Sequence, residues 1–249
     1  RGIILVIIET MSKQTKQDKL YRTPKGMIVD FAFDESVVKV FPDMIRRSVP
    51  GYGTVIAMTG VIAARYHQPA TAIYDLGCSQ GASTLSMARQ LEVPASIVAV
   101  DNSQAMLDLC HGHDYPESIA VDFICADMRE MTIENASVVV MNYTLQFIPP
   151  GERDAMIRRI ANGMVPGGAL ILSEKLAMPD TLFTDLHQAF KQANGYSELE
   201  VSQKRTALEN ILVPESAQAH LDRLKAAGFA RAEQWFQCLG FSSFIAIRN

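Results

Sequence analysis

The chain has 249 residues, of which 48% are hydrophobic and 20% are charged, and its formal net charge is −4. This composition is typical of a globular protein with a substantial core, and the acidic balance argues against general binding to nucleic acid phosphates. The four cysteines are widely spaced and form no C-x-x-C pair, so they indicate reduced thiols of a cytoplasmic protein rather than a disulfide framework or a zinc site. No apolar run approaches the ~20 residues that cross a bilayer, so no membrane association is expected.

The first residues differ in character from the rest of the chain. Residues 1–10 precede Met11-Ser12-Lys13, which resembles a natural start, so we interpret them as an extension that is foreign to the native chain. Residues 12–25 are polar and rich in lysine, which predicts mobility. We therefore expect a flexible segment over residues 1–28 and a single domain over residues 29–249.

The apolar spacing over residues 31–67 predicts helices, with a break at Pro50-Gly51. Strands and helices then alternate. Predicted strands lie at residues 71–77, 96–102, 119–127, 136–145 and 167–175, and predicted helices at residues 82–91, 104–111 (capped by Ser103) and 150–163. This alternation predicts βαβ units, and the continuous apolar runs of the strands predict a mostly parallel sheet that is buried on both faces.

The alternation of strands and helices ends after Lys175. Residues 180–227 predict three helices that end before Gly228, a position typical of a helix C-terminus. Two strands follow at residues 230–238 and 241–249, and the short link between them predicts antiparallel neighbours.

The stretch IYDLGCSQGAST (residues 73–84) joins the first predicted strand to a helix through a loop of small residues. Three kinds of site use such a turn. A phosphate cradle requires G-x-G-x-x-G or G-x-x-x-x-G-K-[ST], and the loop has neither. A nucleophile elbow matches residues 77–81 as G-x-S-x-G, with His187 and His220 downstream, but no oxyanion segment precedes it. The third alternative is a nucleoside pocket.

Polar residues at four successive strand ends favour the nucleoside pocket. They are Asp75, Asp101-Asn102, Asp127-Met128 and Asn142. Open α/β sheets bind ligands at this edge, and an acid about 20 residues after a glycine loop is suited to ribose hydroxyls. Asp75 can face a positively charged ligand. The pattern is typical of class I S-adenosylmethionine (SAM) binding, although each of these residues also has a structural alternative as a cap or a turn residue.

Neither Cys78 nor the histidines are predicted to take part in catalysis or metal binding. Cys78 in the glycine loop is interpreted as small filler rather than as a nucleophile. The five histidines show no carboxylate partner at the spacing of metal ligands, so we expect them at the surface and expect no metal.

Longer segments resemble the bacterial carboxy-S-adenosyl-L-methionine (carboxy-SAM) synthases. The segments are FDESVVKVFPDMIRRSVPGY, YDLGCSQGAST, DNSQAML, ENASVVVMNYTLQFI, residues 165–175, FKQANGYSELEVSQKRTALENIL and WFQCLGFSSFIAI. They keep the family's order over roughly residues 29–249, which makes them more specific than any short motif. The resemblance implies a Rossmann-like class I methyltransferase fold: a seven-stranded, mostly parallel sheet with an antiparallel last strand, a helical N-terminal segment and a helical insertion at about residues 176–215. It also implies a homodimer.

The resemblance implies an activity. The family converts SAM and prephenate into carboxy-SAM and phenylpyruvate, through capture of CO2 by a sulfonium ylide of SAM. A partner carboxymethyl-transferase uses the product to build 5-oxyacetic acid on the wobble uridine of tRNA, so we expect no direct nucleic acid binding by this chain. Positions that match the family's ligand contacts are Tyr52, Gly77, Cys78, Ser79, Asp101, Asn102, Asp127, Met128, Asn142 and Arg205.

Arg205 receives the catalytic role from the resemblance. An arginine binds a carboxylate with two parallel hydrogen bonds, which a lysine cannot do. Because no histidine is convincing as a general base, we expect the protein to supply proximity, exclusion of water and a cation. The alternative is an exposed helix arginine, because Lys204 beside it indicates a solvent-facing surface.

Two other functions stay open from the sequence. One is an ordinary SAM-dependent methyltransferase that acts on a small molecule or on RNA. A methyltransferase acting on tRNA requires a basic face, which the net charge of −4 disfavours. The other is a non-catalytic SAM-binding partner of the tRNA-modifying transferase.

Overall fold

The computed structural model describes residues 16–25 and 35–249. The interpretation of residues 1–10 as a foreign extension lies outside the described residues and stays a prediction. No helix within the described ranges is long and apolar enough to cross a membrane.

Within the described residues, three helices precede the sheet: α1 Glu35–Val38, α2 Phe41–Ser48 and α3 Tyr52–Tyr66. Pro42 lies in the first turn of α2, where its missing N–H costs no helical hydrogen bond. Gly51 adopts a φ of 77° before α3, and a Cβ there would lie 2.4 Å from the Phe236 ring. Only glycine fits this turn without strain. The predicted helical region and its break at Pro50-Gly51 are confirmed within the described residues.

In the part of the chain that the structure describes, the strands form one sheet of seven. The strands are β1 Ala72–Leu76, β2 Ala95–Asp101, β3 Ile119–Cys125, β4 Ala136–Asn142, β5 Met164–Lys175, β6 Phe229–Cys238 and β7 Phe241–Arg248. Their order is β3-β2-β1-β4-β5-β7-β6, and β7 runs antiparallel to both of its neighbours. The order reverses between β1 and β4, which makes their carboxyl ends the topological switch point. The predicted mostly parallel sheet with an antiparallel last strand is confirmed.

The remaining helices connect these strands or follow β5. They are α4 Ala82–Gln90, α5 Gln104–Cys110, α6 Pro150–Gly163, α7 Leu182–Ala193, α8 Glu198–Leu208 and α9 Ala217–Ala226. Ser103 occupies the N-cap position of α5 as predicted, but its side chain makes no capping hydrogen bond. Asp101 accepts the Ser103 N–H instead, at 2.9 Å, so the acid rather than the serine stabilises this helix start.

The core lies on both faces of the sheet because the central strands β1, β4 and β5 carry apolar side chains that point to either face. On one face, Ile73, Ile97 and Val138 pack with Met87 and Ala88 of α4. The residues that alternate with them point to the other face and pack against α6 and α9: Tyr74, Leu76, Val139, Met141, Leu170 and Leu172. A buried side chain of this size contributes roughly 1.5–3 kcal/mol, so the two layers hold the carboxyl edge of the sheet in a defined position.

Residues 16–25 pack against α2 and α8, which differs from the mobile segment expected there. The backbone N–H of Asp18 donates to Asp43 at 2.8 Å, and the Tyr196 hydroxyl donates to Asp18 at 2.6 Å. The Gln203 amide donates to the carbonyls of Tyr21 and Thr23. Composition indicated mobility, but buried partners from distant helices satisfy the polar groups of this segment.

Candidate functional site

The glycine loop follows β1 directly, and both of its glycines have positive φ angles. Gly77 has a φ of 79°, and a Cβ on it would lie 2.4 Å from the Thr144 methyl group. Gly81 has a φ of 76° and precedes α4, where a Cβ would lie 3.1 Å from the Tyr115 hydroxyl. A side chain at either position would therefore strain the backbone, and at Gly77 it would also collide with Thr144. A ligand can approach the loop backbone closely because these two residues have no side chain.

Asp101 at the end of β2 holds the loop. Its Oδ2 accepts the backbone N–H of Ser79 at 2.9 Å, and its Oδ1 accepts the N–H of Ser103. Burial raises the pKa of Asp101, while these hydrogen bonds oppose the rise. Each carboxylate oxygen keeps acceptor capacity that these bonds do not use, so the group can also bind a hydroxyl.

The geometry does not support the nucleophile elbow. The Ser79 hydroxyl contacts the Met106 sulfur, at 3.5 Å, and no histidine or carboxylate contacts that hydroxyl among the described residues. Cys78 is buried, and its contact with Cys110 and its burial both raise the pKa of the thiol far above its ordinary value. A neutral thiol is a poor nucleophile, so Cys78 is small filler as predicted.

A cavity of about 560 Å³ opens at the carboxyl edge of the sheet, over the switch point. It is large enough for a drug-sized or cofactor-sized ligand. Nine of the predicted site residues line it: Tyr52, Gly77, Cys78, Ser79, Asp101, Asn102, Asp127, Met128 and Asn142. These residues come from five separate elements or loops, so the structure brings together what the sequence only suggested.

Two predicted site residues do not line this cavity in the single chain. Asp75 lies behind the loop, 1% exposed, and accepts the Thr84 hydroxyl at 2.6 Å. Burial raises the pKa of Asp75 to about 7, with the Thr84 bonds opposing the rise. Arg205 is exposed on α8. The ligand contacts predicted for both residues stay predictions. Asp75 also has a structural role, because it accepts the Thr84 hydroxyl next to the loop.

Asp127 and Asn142 line the cavity with side chains that already have partners. Arg129 donates to both carboxylate oxygens of Asp127 and holds the pKa of Asp127 below its ordinary value. The Asn142 amide donates to Thr59 and Ser83, and it accepts the Ser173 hydroxyl at 2.7 Å. Both residues therefore shape the cavity wall, whether or not they also touch a ligand.

The other side of the cavity is basic. Lys175 ends β5, Lys191 lies on α7 and Lys204 lies on α8, and all three line the cavity around His187. Burial and then the charges of Lys204 and Lys175 together lower the pKa of Lys191 to about 7. Burial likewise lowers the pKa of Lys204 to about 8, with Asp18 opposing the fall. Lys204 is 5% exposed, so the sequence-based expectation that it marks a solvent-facing surface is wrong.

The histidines also differ from expectation, because His187 and His220 are buried. The ring Nε2 of His187 lies 2.7 Å from the Ser48 carbonyl oxygen. Because a carbonyl oxygen can only accept a hydrogen bond, the proton of the neutral ring lies on Nε2. Burial and then the charge of Lys191 lower the pKa of His187 to about 3. This imidazole is neutral at pH 7 and too weakly basic to remove a proton from a carbon acid.

The charges divide along the sheet edge. Asp127 and Asp101 follow β3 and β2, whereas Lys175 ends β5, on the far side of β1 and β4. Neighbouring strands lie about 4.8 Å apart, so about 14 Å separates the ends of β2 and β5. The cavity thus has a carboxylate side suited to hydroxyl donors and cations and a basic side suited to anions.

Comparison with known proteins identifies the family. A carboxy-S-adenosyl-L-methionine synthase of Trichlorobacter lovleyi is 55% identical over 246 residues, which cover 96% of this chain and 100% of that protein. The synthase of Pasteurella multocida is 51% identical over 239 residues, covering 93% of this chain and 99% of its own length. The chain belongs to the carboxy-SAM synthase family. A family model for a methyltransferase domain also matches residues 73–168, from the start of β1 into β5.

Superposition on solved structures indicates a class I methyltransferase fold for this chain. Magnesium protoporphyrin IX methyltransferase from Synechocystis PCC 6803 with bound SAH superposes with a TM-score of 0.57 at 18% identity. The superposition covers 83% of this chain and 87% of that one. At this identity the likeness establishes the fold alone.

The sequence analysis did not predict the basic side of the cavity. A signal existed for Lys175, because it ends β5 at the same edge as the four polar strand ends that were considered. Lys191, Lys204 and His187 had no such signal, because they lie on helices whose orientation depends on tertiary packing. Their positions required the structure.

Proposed function

We propose that this chain converts SAM and prephenate into carboxy-SAM and phenylpyruvate. The observation that carries the proposal is the 55% identity over 96% of the chain to a carboxy-SAM synthase. The division of the cavity into a carboxylate side and a basic side adds support. It accommodates a cationic nucleoside substrate and an anionic second substrate in one space.

SAM fits the carboxylate side of the cavity. We assign Asp101 to the ribose hydroxyls and the region of Asp127-Met128 to the adenine edge. The backbone of the glycine loop is assigned to the rest of the ligand. Tyr52 begins α3, and its ring lies 6.1 Å from that of Tyr143. Aromatic faces near the expected sulfonium position stabilise a cation.

The proposed chemistry needs no base from the protein. Prephenate loses CO2 and hydroxide as its ring becomes aromatic, and the hydroxide takes a proton from the SAM methyl group to give water. The resulting ylide carbon forms a bond to CO2, which yields carboxy-SAM, phenylpyruvate and one water. The histidine at the cavity fits this scheme, since its lowered pKa makes it a poor base. The chain's part is to bind both substrates, exclude water and hold the released CO2 close to the ylide.

Further properties of the family complete the proposal. We assign Arg205 to the new carboxylate of the product and infer a homodimer, a cytoplasmic location and delivery of carboxy-SAM to a carboxymethyl-transferase that modifies the wobble uridine of tRNA. We expect no direct binding of tRNA by this chain, because its net charge is −4.

The test is a direct product analysis. Purified protein is incubated with SAM and prephenate, and the small molecules are measured by mass spectrometry. The expected result is an adenosyl compound heavier than SAM by one CO2, with an equal amount of phenylpyruvate. Prephenate labelled with 13C in the ring carboxylate should transfer the label to the new compound. Demonstrated SAM binding without this compound would contradict the proposal and favour an ordinary methyltransferase or a non-catalytic SAM-binding protein.

A further inference from the structure

Three lysines from three different elements meet at the basic side of the cavity. Lys175, Lys191 and Lys204 line the same cavity as His187. Burial first, and then the charges of these lysines, lower the pKa of His187. Lys175 is half-buried at the end of β5, and Lys191 is half-buried on α7. Like charges in a partly dehydrated space repel one another, so an anion among these lysines would be stabilised.

The three lysines differ in their partners. Lys204 donates to the Ser48 hydroxyl at 3.0 Å and lies 3.7 Å from an Asp18 carboxylate oxygen, so it is held and partly neutralised. For Lys175 and Lys191, no ion pair or side-chain hydrogen bond is found within residues 16–25 and 35–249. Two ammonium groups are therefore available to an anion in the described part of the cavity.

An aromatic wall stands beside these charges. Phe241 pairs with Lys175 across β5 and β7, and its ring lies 5.0 Å from the His187 ring and 6.2 Å from the Tyr143 ring. The Tyr143 hydroxyl is buried and has no hydrogen-bond partner among the described residues. Flat apolar faces and two ammonium groups together suit a six-membered carbocycle that carries carboxylates.

We propose that Lys175 and Lys191 bind the two carboxylates of the second substrate, whereas Lys204, which Ser48 and Asp18 already hold, does not bind it directly. This inference rests on the proposed function, in which the second substrate is prephenate, a ring that carries two carboxylates. The site then selects a dianionic ring compound over a neutral one. The competing assignment is that these lysines bind the carboxylate of SAM itself.

The test separates the two substrates. Lys175→Met and Lys191→Met remove the charge and keep the length of the side chain, and Lys225→Met, at an exposed lysine on α9, is the matched control. We expect SAM affinity by calorimetry to stay within about threefold of the parent. At saturating SAM, kcat/KM for prephenate should fall by about tenfold or more, mainly through KM. Lys191→Arg should recover part of the loss, because it restores a cation.

The variants should fold, because removal of an unpaired, partly buried charge leaves no partner unsatisfied. Circular dichroism and thermal unfolding check this. A fall in SAM affinity as large as the fall in kcat/KM would overturn the proposal in favour of the SAM carboxylate. Unchanged kinetics in both variants would also overturn it.

A binding experiment distinguishes failure of this inference from failure of the proposed function. Prephenate is titrated into the parent protein saturated with S-adenosylhomocysteine, which has no methyl group to react. We expect binding with uptake of protons, seen as a dependence of the heat on the buffer, because a bound carboxylate reverses the lowered pKa of Lys191. Binding that the lysine variants lose supports the subsite even if the parent makes no carboxy-SAM. Absence of prephenate binding to the parent contradicts both.

Discussion

The Oδ2 atom of Asp101 accepts a hydrogen bond from the backbone N–H of Ser79 at 2.9 Å, which ties the end of β2 to the glycine loop after β1. The second oxygen accepts the N–H of Ser103 at the start of α5. One side chain thus fixes the relative position of two strand ends and one helix. The same carboxylate faces the cavity, so its structural and ligand-binding roles use different acceptor positions of one group.

Asp101→Ala should weaken SAM binding. A hydrogen bond to a charged group contributes about 1.5–3 kcal/mol, so we expect the Kd to rise roughly 10- to 100-fold. Isothermal titration calorimetry measures this directly. Asp122→Ala, at an exposed acid on β3, is the control and should leave the Kd unchanged. Equal affinities in the two variants would remove Asp101 from the ligand contacts.

Arg205→Ala should spare SAM and affect the product. Because Arg205 is exposed and outside the cavity wall of the single chain, its loss should not disturb the fold or the SAM contacts. If its guanidinium binds the new carboxylate, carboxy-SAM formation or retention should fall by about tenfold or more, as measured by mass spectrometry. Arg158→Ala, an exposed arginine on α6, is the control. A normal rate of product formation would exclude Arg205 as the carboxylate ligand.

Gly77→Ala should destabilise the protein. Its φ of 79° disfavours any side chain, and the new methyl group would meet Thr144 at 2.4 Å. We expect a loss of about 2 kcal/mol or more in the free energy of unfolding, measured in urea. The double variant Gly77→Ala/Thr144→Ala removes the atoms in contact and should recover part of the loss. A single variant as stable as the parent would show that the loop relaxes freely.

Asp18→Asn should weaken the contact between residues 16–25 and α8. The Asp18 carboxylate accepts the Tyr196 hydroxyl at 2.6 Å and lies 3.7 Å from the Lys204 ammonium group. Loss of the charge leaves a buried cation without its counterion, so we expect the free energy of unfolding to fall by about 2–4 kcal/mol. Asp114→Asn, at an exposed acid, should have no measurable effect in the same urea titration.

Asp75→Asn should alter how stability depends on pH. Burial raises the pKa of Asp75 from 3.8 to about 7, so the folded state binds a proton there that the unfolded state releases. Its contribution to stability is complete below about pH 4 and is lost as the pH rises through 7. The parent should therefore lose stability over this window more steeply than Asp75→Asn. Burial also raises the pKa of Glu174, to about 8, but that contribution is common to both proteins. Identical slopes would contradict the assignment.

The sequence alone determined the α/β class, the mostly parallel sheet and much of the carboxylate side of the cavity. These features follow from local rules: apolar runs of strand length predict buried strands, and glycines with polar neighbours predict turns. The carboxyl ends of parallel strands meet at one edge whatever the details of packing. Asp101, Asp127 and Asn142 therefore had to lie near one another once the strands were recognised.

Only the tertiary structure decided the basic side of the cavity. Lys204 and Arg205 are adjacent in the sequence, yet Lys204 is buried and Arg205 is exposed. The weak apolar pattern of α8 does not reveal which of its faces packs inward. That choice depends on residues 16–25 and on Ser48, which contact α8 from far away in the sequence. Long-range packing sets the orientation of this helix, and so it decides which charge lines the cavity.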